Sequence, residues 1–232
     1  FYTDGEEDSW IGIPLWVHRR CFYPMFSISN EISYQNLMVQ GNKGYGKTGW
    51  YDIGGKAVDK YVEEQGEFLL SKIKKMLELN PKINDRNESD TIYIISPFKN
   101  VAYRLAVKLD KIGFTRRENL KPTNIGTIHT FQGKEAPIVF MVLGADNNSK
   151  GAAAWAVNEA NMMNVAATRA KKEFYIIGER KLYTGLGSEV INKVNRVISE
   201  YSKEHPELID ENIDCLLYTS DAADEEDSGD LG

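Results

Sequence analysis

Two polar segments, each leading into an apolar run, hold the residues of this chain best suited to chemistry. Residues 126–135 read Gly-Thr-Ile-His-Thr-Phe-Gln-Gly-Lys-Glu and precede the apolar residues 137–143. Residues 164–171 read Asn-Val-Ala-Ala-Thr-Arg-Ala-Lys and precede the apolar residues 174–177. Each segment therefore places polar side chains beside a predicted buried strand. Arg169 carries a permanently charged, planar fork of donors that matches phosphate oxygens, so the pattern indicates phosphate chemistry.

Together these segments resemble motifs V and VI of superfamily 1 helicases, whose second motor domain carries the pattern TxxxxQGxE followed by NVAxTRAK. In that family two RecA-like domains enclose ATP. The resemblance implies that Arg169 is the motif VI arginine that meets the γ-phosphate. An arginine in this role raises the rate of phosphoryl transfer by about 10³- to 10⁵-fold. The plain alternative is a helix-surface arginine paired with an acid.

A pair of arginines lies near the start of the chain. Residues 15–21 read Leu-Trp-Val-His-Arg-Arg-Cys. They resemble the segment that opens the second motor domain in the superfamily 1B branch related to RNA-surveillance helicases, where the pattern is LxxQYR. By that resemblance Arg20 contacts the γ-phosphate. Arg19 stands where the family has an aromatic residue that stacks on adenine, so we expect its guanidinium plane to stack there. The alternative for both is a basic surface pair.

The resemblance also assigns the loop within the first segment. Glu135 is expected to touch the ribose of the nucleotide or to link the ATP site to the nucleic-acid track. Gln132 and Gly133 are expected in the same coupling loop, and a glycine there lets the backbone approach a ligand closely.

Nucleic-acid contacts are expected from two places. Small polar side chains at strand ends commonly contact phosphates, which fits the first segment. A Ser-Pro-Phe sequence after the apolar residues 91–95 resembles motif IV, which contacts the nucleic-acid backbone. A plain strand-to-helix turn, with the serine as helix cap, is the alternative there. His129 also fits a structural histidine. The residues expected to contact nucleic acid are Ser96, Pro97, Phe98, Thr127, His129 and Thr130.

Residues 41–48 match the P-loop expression GxxxxGK[ST] letter for letter. A functional P-loop needs a helix directly after it, so that helical N–H groups face the phosphates. Here the following residues are Gly-Trp-Tyr-Asp-Ile-Gly-Gly, which begin a helix poorly. We therefore predict a hairpin turn between two short strands.

Composition argues against a metal site and a membrane span, and it does not identify a ligand. The two cysteines and three histidines have no metal-ligand spacing, so no metal site is expected. The apolar runs are far shorter than the roughly 20 residues that span a bilayer, and a cytoplasmic location is expected. The net charge is −6, but six acids lie in residues 215–232. The other 28 acids balance the 28 lysines and arginines.

The two ends of the chain predict a fragment. Residues 215–225 resemble the translated read-through of a sequencing adapter, and an ordinary disordered acidic tail is the alternative. The chain begins at Phe1 without a methionine. We expect a truncated linker over residues 1–9, the helicase domain over 10–213, and a disordered tail over 214–232.

Hydrophobic periodicity predicts an α/β fold of the three-layer, RecA-like (P-loop NTPase) type, with a mainly parallel sheet and helices on both faces. Residues 1–9 are expected to form a loop. Strands are predicted at residues 37–40, 50–53, 91–95, 125–130, 137–143 and 173–177. Helices are predicted at residues 57–79, at 158–171 and at 188–204, and another after the Ser-Pro-Phe sequence carries Val101, Leu105, Leu109 and Ile112 on one side.

These observations predict the second motor domain of an ATP-dependent helicase that moves along single-stranded DNA or RNA. ATP is the expected cofactor, with Mg²⁺ held by a missing upstream RecA-like domain, which is also the expected partner. The fragment alone is expected to hydrolyse no ATP. Two alternatives stay open: a non-catalytic nucleic-acid-binding module of the same fold, and a self-contained P-loop enzyme that uses residues 41–48.

Overall fold

The computed structural model describes residues 2–4, 7–9, 16–81, 92–158 and 160–208. The strands are β1 (Tyr2–Asp4), β2 (Glu7–Ser9), β3 (Val17–His18), β4 (Val39–Gln40), β5 (Lys47–Asp52), β6 (Ala57–Val58), β7 (Tyr61–Val62), β8 (Ile92–Ile95), β9 (Arg117–Glu118), β10 (Lys121–Pro122), β11 (Ile125–Gly126), β12 (Ala136–Val142) and β13 (Ala170–Gly178). The helices are α1 (Met25–Ser33), α2 (Glu63–Leu79), α3 (Lys99–Asp110), α4 (Lys150–Asn158), α5 (Ala160–Arg169), α6 (Arg180–Thr184) and α7 (Glu189–Glu204).

Five strands form a central sheet in the order β11-β8-β12-β13-β5, and every neighbouring pair is parallel. The middle strands of the sheet come from the apolar runs on which the strand predictions rested. All four residues of β8 are buried. Strands covered on both faces need such continuous apolar runs. Because the strands are parallel, all their carboxyl ends lie at one edge of the sheet, called here the carboxyl edge, and their amino ends lie at the opposite amino edge.

Helices cover the sheet in two groups. Helix α1 packs on α5 and α7, and α7 also contacts β5, whereas α2 packs on α3, which contacts β11. Helix α7 shows why these segments are helical, because its buried residues Ile191, Val194, Ile198 and Tyr201 recur every three or four positions. The predicted α/β fold with a parallel sheet is confirmed.

Helix α2 begins six residues later than predicted, at Glu63 rather than residue 57. The intervening residues form the hairpin of β6 and β7, with Asp59 and Lys60 at positive φ in its turn. The hairpin is fixed from far along the chain, since the Ala145 N–H donates to the Lys60 carbonyl at 2.7 Å. Helical periodicity cannot reveal a hydrogen bond to so distant a residue.

Three further segments differ from prediction. The strand predicted at residues 125–130 stops at Gly126, and a 3₁₀ turn over Ile128–Phe131 buries the Phe131 ring 4.5 Å from that of Tyr93. The helix predicted at residues 158–171 is α5, which ends at Arg169 because β13 begins at Ala170, and the preceding helix α4 was not predicted. Residues 1–9, predicted as a loop, contain the antiparallel pair of β1 and β2.

The P-loop-like segment is no phosphate loop in this fold, because β5 begins at Lys47, where a P-loop would begin its helix. Nor is it the predicted hairpin turn, since β4 pairs with β3 and β5 pairs with β13 in a different sheet. Packing explains one of its glycines: a Cβ on Gly46 would lie 2.0 Å from the Lys172 carbonyl oxygen.

Candidate functional site

Four of the predicted site residues line one cavity of about 1350 Å³ at the amino edge of the sheet. They are Arg19, Arg20, Glu135 and Arg169, which come from three separate parts of the sequence. Gln132 and Gly133 are exposed and do not line the cavity. The other lining residues are Trp16, Val17, His18, Ser33, Tyr34, Gln35, Leu37, Met38, Asn42, Asn164, Val165, Thr168 and Lys171.

Backbone pairing brings the two arginine-bearing segments together. The Phe22 N–H donates to the Lys171 carbonyl at 3.1 Å, and these residues lie two positions after Arg20 and Arg169 respectively. The segment before α1 is also held by the β3–β4 pair, in which the Gly41 N–H donates to the His18 carbonyl at 2.7 Å. Helix α1 also packs on α5, where the Ser29 hydroxyl donates to the Asn164 Oδ1 at 2.7 Å. These contacts bring Arg20 and Arg169 to the same cavity although they are far apart in the sequence.

Arg169 ends helix α5 with a buried side chain that is 8% exposed. Its guanidinium donates to three backbone carbonyls: Nε to Val165 at 3.3 Å, and Nη1 to Lys134 at 3.0 Å and Phe131 at 3.4 Å. The Arg169 Nη2 donates no hydrogen bond to any of the described residues. The guanidinium therefore ties α5 to the loop after Phe131 and keeps donors for a ligand.

Positive charge dominates the cavity. Burial, and then the nearby charge of Arg20, lower the pKa of Arg169, while Glu135 opposes that shift. Glu135 is itself 3.5 Å from Lys171. Within the described parts of the chain, neither Arg20 nor Arg169 has a carboxylate within the 4.0 Å of a salt bridge. Like charges left unneutralised beside a cavity favour the binding of an anion.

His18 and Cys21 form a neutral pair beside these charges. The His18 Nε2 lies 3.0 Å from the Cys21 Sγ. Burial and the charge of Arg20 lower the pKa of His18, and burial raises the pKa of the Cys21 thiol to about 12. The thiol is thus protonated at neutral pH, so it supplies packing rather than a nucleophile.

Apolar side chains also line the cavity, and no sequence motif assigned them a role there. They include Trp16, Tyr34, Leu37 and Met38, of which the first three have large exposed fractions. A cavity lined by both basic and aromatic side chains matches a molecule with phosphates and a flat ring. The sequence indicated a strand at residues 37–40 and a family-like segment around Trp16, but neither pattern pointed to an apolar contact with a ligand.

The residues predicted to contact nucleic acid lie at the carboxyl edge, away from the cavity. Ser96, Pro97 and Phe98 are buried, with Ser96 fully so. The Phe98 N–H donates to the Ser96 Oγ at 3.3 Å, and the Ser96 N–H donates to the Gly126 carbonyl at 3.0 Å. The Ser-Pro-Phe sequence thus forms the alternative strand-to-helix turn, although the serine is not the helix cap. Its contact with nucleic acid stays a prediction.

Thr127, His129 and Thr130 follow β11 at the same edge. His129 is exposed, which removes the alternative of a buried structural histidine, and both threonines are half-buried. The Thr130 N–H donates to the Thr127 carbonyl at 2.9 Å within the 3₁₀ turn. The three residues are placed beside β8, and their contact with phosphates remains untested.

Neither a metal cluster nor a membrane span emerges from the described residues. Within them, no three His, Cys, Asp or Glu side chains gather as metal ligands. No helix there combines the length and hydrophobicity needed to cross a bilayer. The acidic tail and the boundary predicted at residue 213 lie outside the described residues.

Comparison with known proteins gives one family match. The family model of the AAA domain matches residues 27–181, and no curated protein matches the chain. Similar solved structures include PRRSV nsp10, a helicase, with 10% identity, a TM-score of 0.33, and coverage of 69% of this chain and 23% of that one.

Arterivirus nonstructural protein 10, also a helicase, has 16% identity and a TM-score of 0.35, covering 75% of this chain and 27% of its own. Its complex with DNA gives 15% identity, a TM-score of 0.34, and coverage of 74% and 27%. This chain spans about a quarter of the length of these helicases.

Proposed function

We propose, since the chain belongs to the AAA domain family, that it is the second RecA-like motor domain of an ATP-dependent superfamily 1B helicase. The proposal places it near the RNA-surveillance branch. The whole enzyme would couple ATP hydrolysis to movement along single-stranded nucleic acid, in the 5′ to 3′ direction expected of that branch.

One observation carries the proposal: Arg20 and Arg169 converge on one cavity without a carboxylate partner in the described residues. Phosphoryl transfer needs positive charge where the γ-phosphate oxygens gain negative charge, and a positioned guanidinium supplies it. Burial of Arg169 strengthens this, because a charge acts more strongly where water is excluded. The two arginines are accordingly assigned to the γ-phosphate.

The remaining cavity residues fit the rest of a nucleotide. Arg19, on the same wall as Arg20, is assigned to the base through its guanidinium plane. Glu135 is assigned to the ribose, with Lys171 as its present partner. Gln132 and Gly133 lie in the loop whose neighbouring carbonyls Arg169 holds, so they are assigned to coupling rather than to direct contact.

The loop held by Arg169 offers a route between the two edges of the sheet. It starts at Thr127, beside the predicted nucleic-acid contacts, and ends at Glu135, in the cavity. A movement of the Arg169 guanidinium toward a phosphate would change its bonds to the Phe131 and Lys134 carbonyls. Binding of nucleotide would thereby favour one position of the loop, as differential affinity for two states requires.

Mg²⁺ and the P-loop are assigned to an upstream RecA-like domain of the same protein. The arginine cavity fits a triphosphate, whereas the described residues gather no acid cluster for the metal. When bound by that domain, Mg²⁺ would supply positive charge that offsets the charge of the phosphates. The 232-residue chain by itself should therefore show no steady-state ATP hydrolysis.

Two experiments test this proposal. The coding sequence upstream of Phe1 should specify a P-loop followed by an Asp-Glu pair. In the protein that contains this domain, Arg169→Ala should lower kcat for ATP by about 10³-fold or more. Arg117→Ala is the matched control, since Arg117 lies on the β9–β10 hairpin, pairs with Asp110 at the end of α3 and does not line the cavity. Turnover by the 232-residue chain alone, or an unchanged kcat in Arg169→Ala, would contradict the proposal.

A further inference from the structure

Trp155 presents an indole ring on the surface of α4, where sequence periodicity singled out no residue. Its side chain is 54% exposed, and its ring centroid lies 5.9 Å from that of Phe98 at an interplanar angle of 33°. Gly151, one helical turn earlier, faces open space. Phe98 thus supports the indole from the protein side, while small neighbours leave it accessible.

The Trp155 ring and two of the predicted nucleic-acid contacts follow three neighbouring strands of the sheet. Thr127 follows β11, Phe98 follows β8, and α4 with Trp155 follows β12. Those three strands are neighbours in the order β11-β8-β12. Adjacent strands are about 4.8 Å apart, so the first and third strands of this row are about 10 Å apart. An extended polymer lying along the carboxyl edge would pass all three positions.

Local charge favours a polyanion there. Lys99 is exposed next to Phe98 and has no ion pair within the described residues. The acids of this edge have partners within the described residues: Asp59 pairs with Lys60 at 3.0 Å, and Asp146 is buried and accepts the Ala57 N–H at 3.0 Å. Farther along the edge, Asp52 accepts the Arg180 N–H at 2.7 Å and Glu179 accepts from the Asn147 side-chain amide at 3.3 Å. Next to the indole the surface therefore offers an aromatic face and Lys99, which is unpaired among the described residues.

We propose that Trp155 stacks on one base of a single-stranded nucleic acid, with Phe98 packed against the indole as its support. The inference rests on the proposed function and adds a specific binding residue to it. A single ring among small and polar residues has the size of a base, whereas a protein interface needs a surface of about 800 Å² on each partner. Stacking on an aromatic side chain contributes about 1–3 kcal/mol per base and tolerates any sequence.

Equilibrium binding of the 232-residue chain to a fluorescein-labelled oligothymidylate tests this. Trp155→Ala should weaken binding by roughly 5- to 100-fold, and Trp155→Phe should restore most of the loss. The slope of log Kd against log salt should not change, because no phosphate contact is removed. Tyr45→Ala is the matched control, since Tyr45 is 62% exposed but contacts Tyr23 and His205 elsewhere. Equal melting temperatures confirm that the variants fold.

An abasic oligonucleotide separates stacking from other effects. It should bind the parent chain more weakly than the thymidylate strand does, and it should bind Trp155→Ala and the parent equally. If the parent binds the thymidylate strand and Trp155→Ala binds it as tightly, stacking is wrong while the proposed function stands. If the parent binds no strand at low salt, the stacking proposal fails, whereas the proposed function is still decided by ATP turnover in the protein that contains the upstream domain.

Discussion

The amino and carboxyl edges of the sheet use polar residues in opposite ways. At the carboxyl edge, Ser96 and Asp146 are buried and bonded to nearby backbone N–H groups. At the amino edge, Arg20 and Arg169 crowd a cavity, and the charge of one lowers the pKa of the other. The first edge satisfies these buried polar groups internally, whereas the second leaves charge uncompensated.

This difference separates residues that stabilise the fold from residues free to bind a ligand. A polar side chain at a strand end looks the same in a sequence whether a backbone amide or a ligand satisfies it. Only the hydrogen-bond partners distinguish the two cases. Substitutions of the buried polar residues at the carboxyl edge should therefore affect stability, and substitutions of the cavity arginines at the amino edge should affect catalysis.

The largest expected effect is on turnover at the amino edge. In the protein joined to its upstream motor domain, Arg20→Ala should lower kcat for ATP by about 10³-fold, since it removes charge that acts in the transition state. Arg19→Ala, in the same cavity, should instead raise KM by about 2- to 5-fold, because cation–π stacking at an exposed site contributes little. Steady-state ATPase kinetics measure both. Equal effects of the two variants on kcat would contradict the assignment.

Asp146→Asn should produce the largest loss of stability at the carboxyl edge. The carboxylate accepts the Ala57 N–H at 3.0 Å, the Asn148 N–H at 3.1 Å and the Ser149 hydroxyl at 2.8 Å. Hydrogen bonds to a charged group contribute about 1.5–3 kcal/mol, so the free energy of unfolding should fall by about that much. Urea denaturation measures it. Asp110→Asn, which removes only an exposed ion pair, should cost less than about 1 kcal/mol.

Gly46→Ala tests whether the P-loop-like segment serves packing. The added Cβ would approach the Lys172 carbonyl to 2.0 Å, so the free energy of unfolding should fall by about 1–3 kcal/mol. Gly151→Ala is the matched control. Its Cβ meets open space in α4, and it should stabilise the chain by up to about 1 kcal/mol. A stable Gly46→Ala variant would show that β5 can shift away from β13.

Acidification should destabilise the two edges in different pH ranges. Burial and the charge of Arg20 lower the pKa of His18 in the folded chain. Below about pH 6.5 the unfolded chain therefore binds more protons than the folded chain, and stability is lost as the pH falls through the folded pKa of His18. The Ala57 N–H is the main cause of the lowered pKa of Asp146, whose contribution is complete above about pH 3.9 and lost below it. His18→Gln should remove the first loss and Asp146→Asn the second. Unchanged pH profiles in both variants would refute this separation.

Lys47→Ala should have the smallest effect. Lys47 is exposed on β5 and lines no part of the arginine cavity. The free energy of unfolding should stay within about 0.5 kcal/mol of the parent value. The KM for ATP should change by no more than the factor to which that free energy corresponds. A loss of nucleotide binding by the chain alone would instead revive a P-loop at residues 41–48.

The sequence predicted the sheet better than the helices around it. Apolar runs located β8, β12 and β13, because strands buried on both faces leave a continuous signal. The predicted start of α2 was wrong because the hydrogen bond between Ala145 and Lys60 stabilises a hairpin that no local sequence pattern indicates. Helix α4 was missed because it is rich in alanine and has a weak apolar face.

The candidate site was predictable only through resemblance. No residue pattern places Arg20 and Arg169 in one cavity, since the placement depends on the Phe22–Lys171 hydrogen bond and on the packing of α1 against α5. No motif assigned the apolar cavity residues Trp16 and Tyr34 to a ligand. The roles assigned to the individual residues stay predictions.

A double-mutant cycle between Arg20 and Arg169 tests the central claim most directly. It compares kcat for Arg20→Ala, Arg169→Ala and the double variant in the protein that contains the upstream domain. If both guanidiniums meet one phosphate, the double variant should lose less than the sum of the single losses, with a coupling of about 0.5–3 kcal/mol. Losses that add to within about 0.5 kcal/mol would mean that the arginines act independently, and the shared phosphate site would be wrong.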